Sequence, residues 1–150
     1  MKARFFALAV LAVLPACLDA TDSTNVNGCG APKVTISALN GDTVRTASGL
    51  KYLVRTPGTG ATALSNSLVT VAYAGYLTDG TLFDSNPSAT FAVNQLIPGF
   101  AEGVTGMKVG ESRRLIIPSV LGYGTTGAGN CIPPNATLIF DVDLRAAAGL

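Results

Sequence analysis

Residues 68–84, LVTVAYAGYLTDGTLFD, leave this chain few choices of fold. Ten residues rich in Val, Tyr and Leu are followed by Asp79-Gly80 and then by a second short apolar run. This order predicts a strand, a tight turn and a return strand ending at Phe83-Asp84. Val69, Val71 and Tyr73 fall on one face of the first strand. Asp84 sits directly beside an aromatic residue, and a carboxylate among apolar rings is costly unless it is hydrogen-bonded. Two readings follow for Asp84. It is a surface turn residue, or it is the polar handle of an apolar pocket.

The rest of the body supplies more strands. Residues 33–39 alternate Val34, Ile36 and Ala38 with polar neighbours, and Asn40-Gly41-Asp42 follows as a turn. Residues 49–56 predict a strand stopped by Pro57-Gly58. A short strand is expected at 91–93, after a loop at Asn86-Pro87-Ser88. Residues 111–118 place Leu115 and Ile117 on one face. Residues 137–145 show the cleanest alternation in the chain, with Leu138, Phe140, Val142 and Leu144 opposed to Ile139, Asp141, Asp143 and Arg145. A single helix is predicted over 98–107. Phe100, Val104 and Met107 recur at helical spacing behind Pro98 at the first turn. Gly103 and Gly106 weaken that helix, so it should be short and held by packing. Several strands with one helix imply an α+β fold in which an antiparallel sheet packs on the helix. Residues 119–135 form a long Gly- and Pro-rich loop, which in a compact domain is usually functional.

Composition narrows the function. The chain has 150 residues, and 13% of them are charged, too few for a disordered chain. Ten basic and nine acidic residues give a net charge of +1, with no basic stripe, so nucleic-acid binding has no electrostatic support. No histidine is present, which removes Ser-His and Cys-His nucleophile pairs. No cysteine pair has zinc-ligand spacing, so no metal is expected. Phosphate-binding glycine motifs are absent as well. Asp141 and Asp143 lie on the polar face of a strand, where a glycosidase pair is not expected. No cofactor is implied.

The N-terminus reads as an export signal over residues 1–16. Lys2 and Arg4 precede an apolar run over 5–14, too short to span a bilayer. Leu14-Pro15-Ala16-Cys17 resembles a bacterial lipobox, which makes Cys17 a lipidation site. Pro15 is atypical there, and ordinary cleavage near Ala16 or Ala20 is the alternative. Leu18 rather than Asp follows Cys17, so inner-membrane retention is not signalled. Either route places the mature protein outside the cytoplasm, in the cell envelope or periplasm, with any membrane attachment through a lipid anchor only. Residues 17–32 read as a flexible tether and residues 33–150 as the folded domain. With Cys17 lipidated, Cys29 and Cys131 remain as an even pair in an oxidising compartment and are expected to be disulfide-bonded; two free thiols are the alternative.

Four collinear pieces resemble one family. YAGYLTDGTLFDS (residues 73–85), VNQLIPGFAEGVTGMKVGESRRLIIP (93–118), Gly122-Tyr123-Gly124 and IPPNATLIFDVDL (132–144) are similar to FKBP-type peptidyl-prolyl isomerases, over roughly residues 48–145. The resemblance implies a curved antiparallel sheet wrapped around a short helix, with the site between them. It implies catalysis of Xaa-Pro rotation, with proline-containing polypeptides as clients, and the possibility of macrolide inhibitor binding. Phe100 stands where the family usually has a Trp at the pocket floor. Tyr73, Phe83 and Phe140 match the wall aromatics, and Phe91 matches less securely. Asp84 matches the carboxylate at the pocket edge, and Tyr123 the phenol that donates to a substrate carbonyl. Leu96 and Ile97 match the segment that offers a backbone N–H, and Ile132 an apolar flap residue. Without the family, plain core is the favoured reading of Tyr73, Phe83 and Phe140. Phe for Trp at residue 100 should preserve activity and lower macrolide affinity. Cys131 within the flap is a departure, and a bond to Cys29 would pin the flap. A monomer is expected, since no long dimerisation helix precedes the domain. The rival readings are a proline-segment binding module or chaperone on the same fold, and a structural all-β lipoprotein domain.

Overall fold

The computed structural model describes residues 33–36 and 43–149. The expected signal, the tether, Cys17 and Cys29 lie outside the described residues. Six strands are present among the described residues: β1 (Val44–Arg45), β2 (Lys51–Thr56), β3 (Ser67–Leu77), β4 (Leu82–Ala92), β5 (Ser112–Ile117) and β6 (Leu138–Gly149). They form one sheet in the order β1-β2-β5-β6-β3-β4, and every pairing is antiparallel. One α-helix, α1 (Pro98–Val104), packs on it. This is the α+β architecture expected from the strand and helix patterns.

The alternation read in the sequence maps onto the sheet. Leu138, Phe140, Val142 and Leu144 of β6 are all buried, as are Val69 and Val71 of β3 and Leu115 and Ile117 of β5. They meet Phe100 and Val104 of α1 in a single core. The helix approaches β5 closely because Gly99 and Gly103, one turn apart, carry no side chain on that face. A Cβ at Gly103 would lie 2.5 Å from Leu115, and one at Gly99 would collide with Ile117.

Several boundaries differ from expectation. The helix ends at Val104 rather than at Met107. Thr105 is extended, its N–H still donates to the Ala101 carbonyl, and Gly106 then takes φ of +84°. Met107 nevertheless stays fully buried. The return strand does not end at Asp84, and no loop separates it from residues 91–93. Instead β4 runs unbroken to Ala92. Pairing passes from Tyr73–Asn86 to Val71–Ala89, so Pro87 and Ser88 form a bulge. Asn86 Oδ1 accepts the Ser88 N–H at 2.8 Å within it. Because β4 is an edge strand, a proline without an N–H is tolerated there. Residues 33–36 form no strand, although Val34 N–H donates to the Gly80 carbonyl across the β3–β4 turn. The loop at 119–135 contains a 3-10 turn at Ser119–Leu121 and an Ala128–Ile132 bridge.

Candidate functional site

The site grows from the β3–β4 hairpin. Tyr73 and Gly75 share the face of β3 that meets the helix, and Asp84 lies opposite Gly75. The register shifts between Gly75 and Tyr76, and this irregularity brings Phe83 and Asp84 to the same face. Phe83 packs on Phe140, with ring centroids 5.4 Å apart in an edge-to-face arrangement. Asp84 Oδ2 accepts the Tyr73 hydroxyl at 2.8 Å. The conflict seen in the sequence, a carboxylate beside a phenyl ring, is resolved by a hairpin irregularity and a phenol partner.

Phe140 lies at the centre of a ring cluster. Phe100 meets it edge-on at 5.0 Å, and Tyr73 lies 6.2 Å from it. Tyr73 is also 6.1 Å from Phe91 and 6.1 Å from Phe100. Tilted and edge-to-face arrangements at these separations are favourable for aromatic pairs. Phe100 and Phe140 are 4% and 5% exposed, so little of these two rings meets water, while Tyr73, Phe83 and Phe91 are only partly buried. The cluster is contributed by β3, β4, α1 and β6.

The Tyr73 phenol is pushed far above the usual range. Burial is the largest cause, followed by the hydrogen bond to Asp84, the Asp84 charge and a smaller influence from Tyr123. Tyr73 therefore remains a protonated donor at any physiological pH. Asp84 itself is exposed.

The remaining predicted residues surround this cluster. Leu96 and Ile97 are partly buried against the core, between the 3-10 turn at Val93–Gln95 and α1. Leu96 N–H is taken by the Val93 carbonyl, whereas Ile97 N–H has no partner among the described residues. Ile132 is buried in the same core, and Tyr123 is 40% exposed. Cys131 is partly buried and disulfide-bonded, with its partner outside the described residues. No group of three or more metal-ligating side chains occurs among the described residues. No described helix is long and apolar enough to cross a membrane.

Two features escaped the sequence reading. One is Gly75, which faces the rings of Phe83 and Phe140. A glycine inside a strand was the available signal. The other is a buried ion pair between Glu111 and Arg113 on the helix-facing side of the sheet.

Residues 60–145 match the family model described as FKBP-type peptidyl-prolyl cis-trans isomerase. The chain is 51% identical over 105 residues to the FKBP-type peptidyl-prolyl cis-trans isomerase FkpA of Aeromonas hydrophila, covering 67% of this chain and 39% of that protein. It therefore spans well under half the length of that relative. It is 50% identical over 91 residues to an FK506-binding protein of Neisseria meningitidis serogroup C, covering 57% of this chain and 84% of the relative. Among solved structures, FkpA from Escherichia coli superposes with a TM-score of 0.68 at 36% identity, over 71% of this chain and 52% of the other.

Proposed function

Because the chain belongs to the FKBP-type peptidyl-prolyl cis-trans isomerases, which the match over more than half its length establishes, we propose that it accelerates rotation about Xaa-Pro bonds in other polypeptides. The observation that carries this reading is the ring cluster of Tyr73, Phe83, Phe100 and Phe140 with the Tyr73–Asp84 hydrogen bond at its edge.

The chemistry requires no nucleophile. A peptide bond resists rotation by about 18–20 kcal/mol because of its partial double-bond character. In the twisted transition state conjugation is lost and the amide becomes less polar. A proline ring set on Phe100 between Tyr73 and Phe140 would leave its amide in an apolar, water-poor setting, which favours the twisted form over the planar one. Each 1.4 kcal/mol of that difference gives about a tenfold rate gain. The Ile97 N–H, which has no partner among the described residues, is suited to hold a substrate carbonyl. Tyr123, exposed at the flap, can donate to another. Asp84 orients the Tyr73 ring by accepting its hydroxyl and places negative charge at the pocket edge.

In this reading residues 1–16 direct export, Cys17 carries a lipid, residues 17–32 tether the domain, and the clients are folding proteins of the cell envelope. The bonded state of Cys131 and the presence of three cysteines support a Cys29–Cys131 bridge that ties the flap to the N-terminal segment. The domain acts as a monomer, and macrolides would occupy the same pocket, more weakly than with a Trp floor.

The test is the cis-to-trans rate of a Leu-Pro peptide with the wild type, Phe140→Ala and Asp84→Ala, each first shown to be folded. Acceleration that falls in both variants is expected. A folded wild type without acceleration would replace the enzyme by a binding module.

A further inference from the structure

Arg113 lies on the face of β5 that meets the helix, in line with Leu115 and Ile117. It is 7% exposed and its partner Glu111 is 6% exposed, so both are buried. Five interactions meet on these two residues. Arg113 Nε donates to Glu111 Oε1 at 2.8 Å, and Nη2 donates to the same oxygen. Arg113 Nη1 donates to the Gly103 carbonyl of α1 at 3.0 Å. The guanidinium carbon stands 4.3 Å from the centroid of the Tyr52 ring on β2. Glu111 Oε2 in turn accepts the Lys108 N–H at 3.1 Å, which ties the segment after the helix to the same pair.

Gly103 is in the last turn of α1, where carbonyls lack helical partners and partial negative charge collects. The helix has only seven residues, too few to be stable alone, so its placement depends on what it packs against. Phe100 lies one turn before Gly103 on this helix. A shift of the Gly103 carbonyl is therefore transmitted to the Phe100 ring, which must meet Phe140 edge-on at 5.0 Å.

We propose that Arg113, fixed by Glu111 and Tyr52, is a positioning residue that sets the seat of α1 and thereby the place of the Phe100 ring in the isomerase site. A buried ion pair adds little net stability over well-packed apolar groups of similar volume. What it adds is direction, because a planar fork bonded to a carboxylate and a helix carbonyl, and stacked on a ring, has one geometry. Lysine offers a single point charge and cannot reproduce all three contacts. This inference rests on the isomerase reading for its consequence, and on the contacts alone for its geometry.

The chain contains no tryptophan, so Phe100→Trp introduces one reporter at the floor of the cluster. Arg113→Met and Arg113→Lys are made in the natural and the Phe100→Trp backgrounds. Folding is checked by cooperative thermal unfolding. The expected result for Arg113→Met is a red shift of the indole emission, greater quenching by acrylamide, and a loss of about 10- to 100-fold in kcat/KM, as small misplacements of site groups produce. Arg113→Lys should move the same readouts in the same direction by less. A folded Arg113→Met with lowered Tm but unchanged emission and kcat/KM would mean a purely structural role and overturn the proposal. Should Arg113→Met not fold, the same criteria apply to Arg113→Lys. If the wild type lacks isomerase activity, the isomerase reading fails, while the emission and quenching still decide whether Arg113 places residue 100.

Discussion

Replacing Gly75 by alanine should disturb the ring cluster from behind. A Cβ at this position would lie 2.7 Å from two atoms of the Phe83 ring and 2.8 Å from one of Phe140. Ordinary contact begins near 3.4 Å, so the rings must retreat by about 0.7 Å, the difference between 3.4 and 2.7. Aromatic rings held edge-to-face at 5.4 Å have little freedom to do so. Overpacking of this kind costs about 1–3 kcal/mol. The lost chain entropy of glycine in the unfolded state returns about 0.4–1 kcal/mol. The net expectation is a destabilisation of about 1–2 kcal/mol, which for a domain of this size lowers Tm by about 4–8 °C. Displacing Phe140 relative to Phe100 should also lower kcat/KM on a Leu-Pro peptide by about tenfold or more. Gly149→Ala is the control, since nothing lies within 4 Å of its added Cβ. Its Tm and activity should not fall. The double variant Gly75→Ala/Phe83→Leu should recover part of the lost stability, because the two sites interact directly. A Gly75→Ala protein with wild-type Tm and wild-type kcat/KM would refute the steric argument and the role given to the rings.

Three further outcomes are expected. Tyr73 is protonated more firmly in the folded protein than in the unfolded chain, whose phenol titrates near 10. Its contribution is thus complete below pH 10 and is lost as pH rises beyond it, where the unfolded state alone sheds the proton; alkaline unfolding curves of wild type and Tyr73→Phe should converge above that pH, and the latest step of phenolate absorbance should vanish in the variant. Cys131→Ser should cost about 2–5 kcal/mol in chemical denaturation if the bond closes the long loop to Cys29, and the denatured wild type should show neither Cys29 nor Cys131 as a reactive thiol. Pro87→Ala, in an exposed bulge of the edge strand, should change unfolding free energy by less than about 0.5 kcal/mol in urea titration.

Local patterns carried most of the architecture. Alternation along residues 137–145 named the buried face of β6, and Asp79-Gly80 located the hairpin, because both signals depend on neighbouring residues only. On composition alone, Asn86-Pro87-Ser88 reads as a loop. In the structure the neighbouring β3 continues to pair on both sides of it, so tertiary pairing overrides the local turn preference. The Tyr73–Asp84 bond was not legible either, since it depends on a register shift that composition does not encode. Glu111 and Arg113 were legible in principle. Their spacing of two places them on the same face as Leu115 and Ile117, the apolar face of that segment.

The position of that ion pair bears on how an isomerase site without a nucleophile can be specific. Dispersion among Phe100, Phe140 and Tyr73 is weakly directional, so rings alone would settle in several arrangements of similar energy. Directional groups stand at the margins instead. Asp84 fixes Tyr73 from the hairpin side, and Arg113 with Glu111 fixes the end of the helix that carries Phe100. Gly75 leaves Phe83 and Phe140 room to meet edge-on. Substitutions at the rings should therefore change how well the twisted proline is enclosed. Substitutions at the margins should change how often the enclosure is correctly formed. The two classes separate experimentally, because a substrate proline that binds tightly can offset a misplaced floor but cannot restore a missing ring. Raising affinity, by extending the Leu-Pro peptide with apolar residues, should recover more activity in a folded Arg113→Lys protein than in Phe140→Ala. Equal recovery in both would mean that the polar margins and the rings act as one unit.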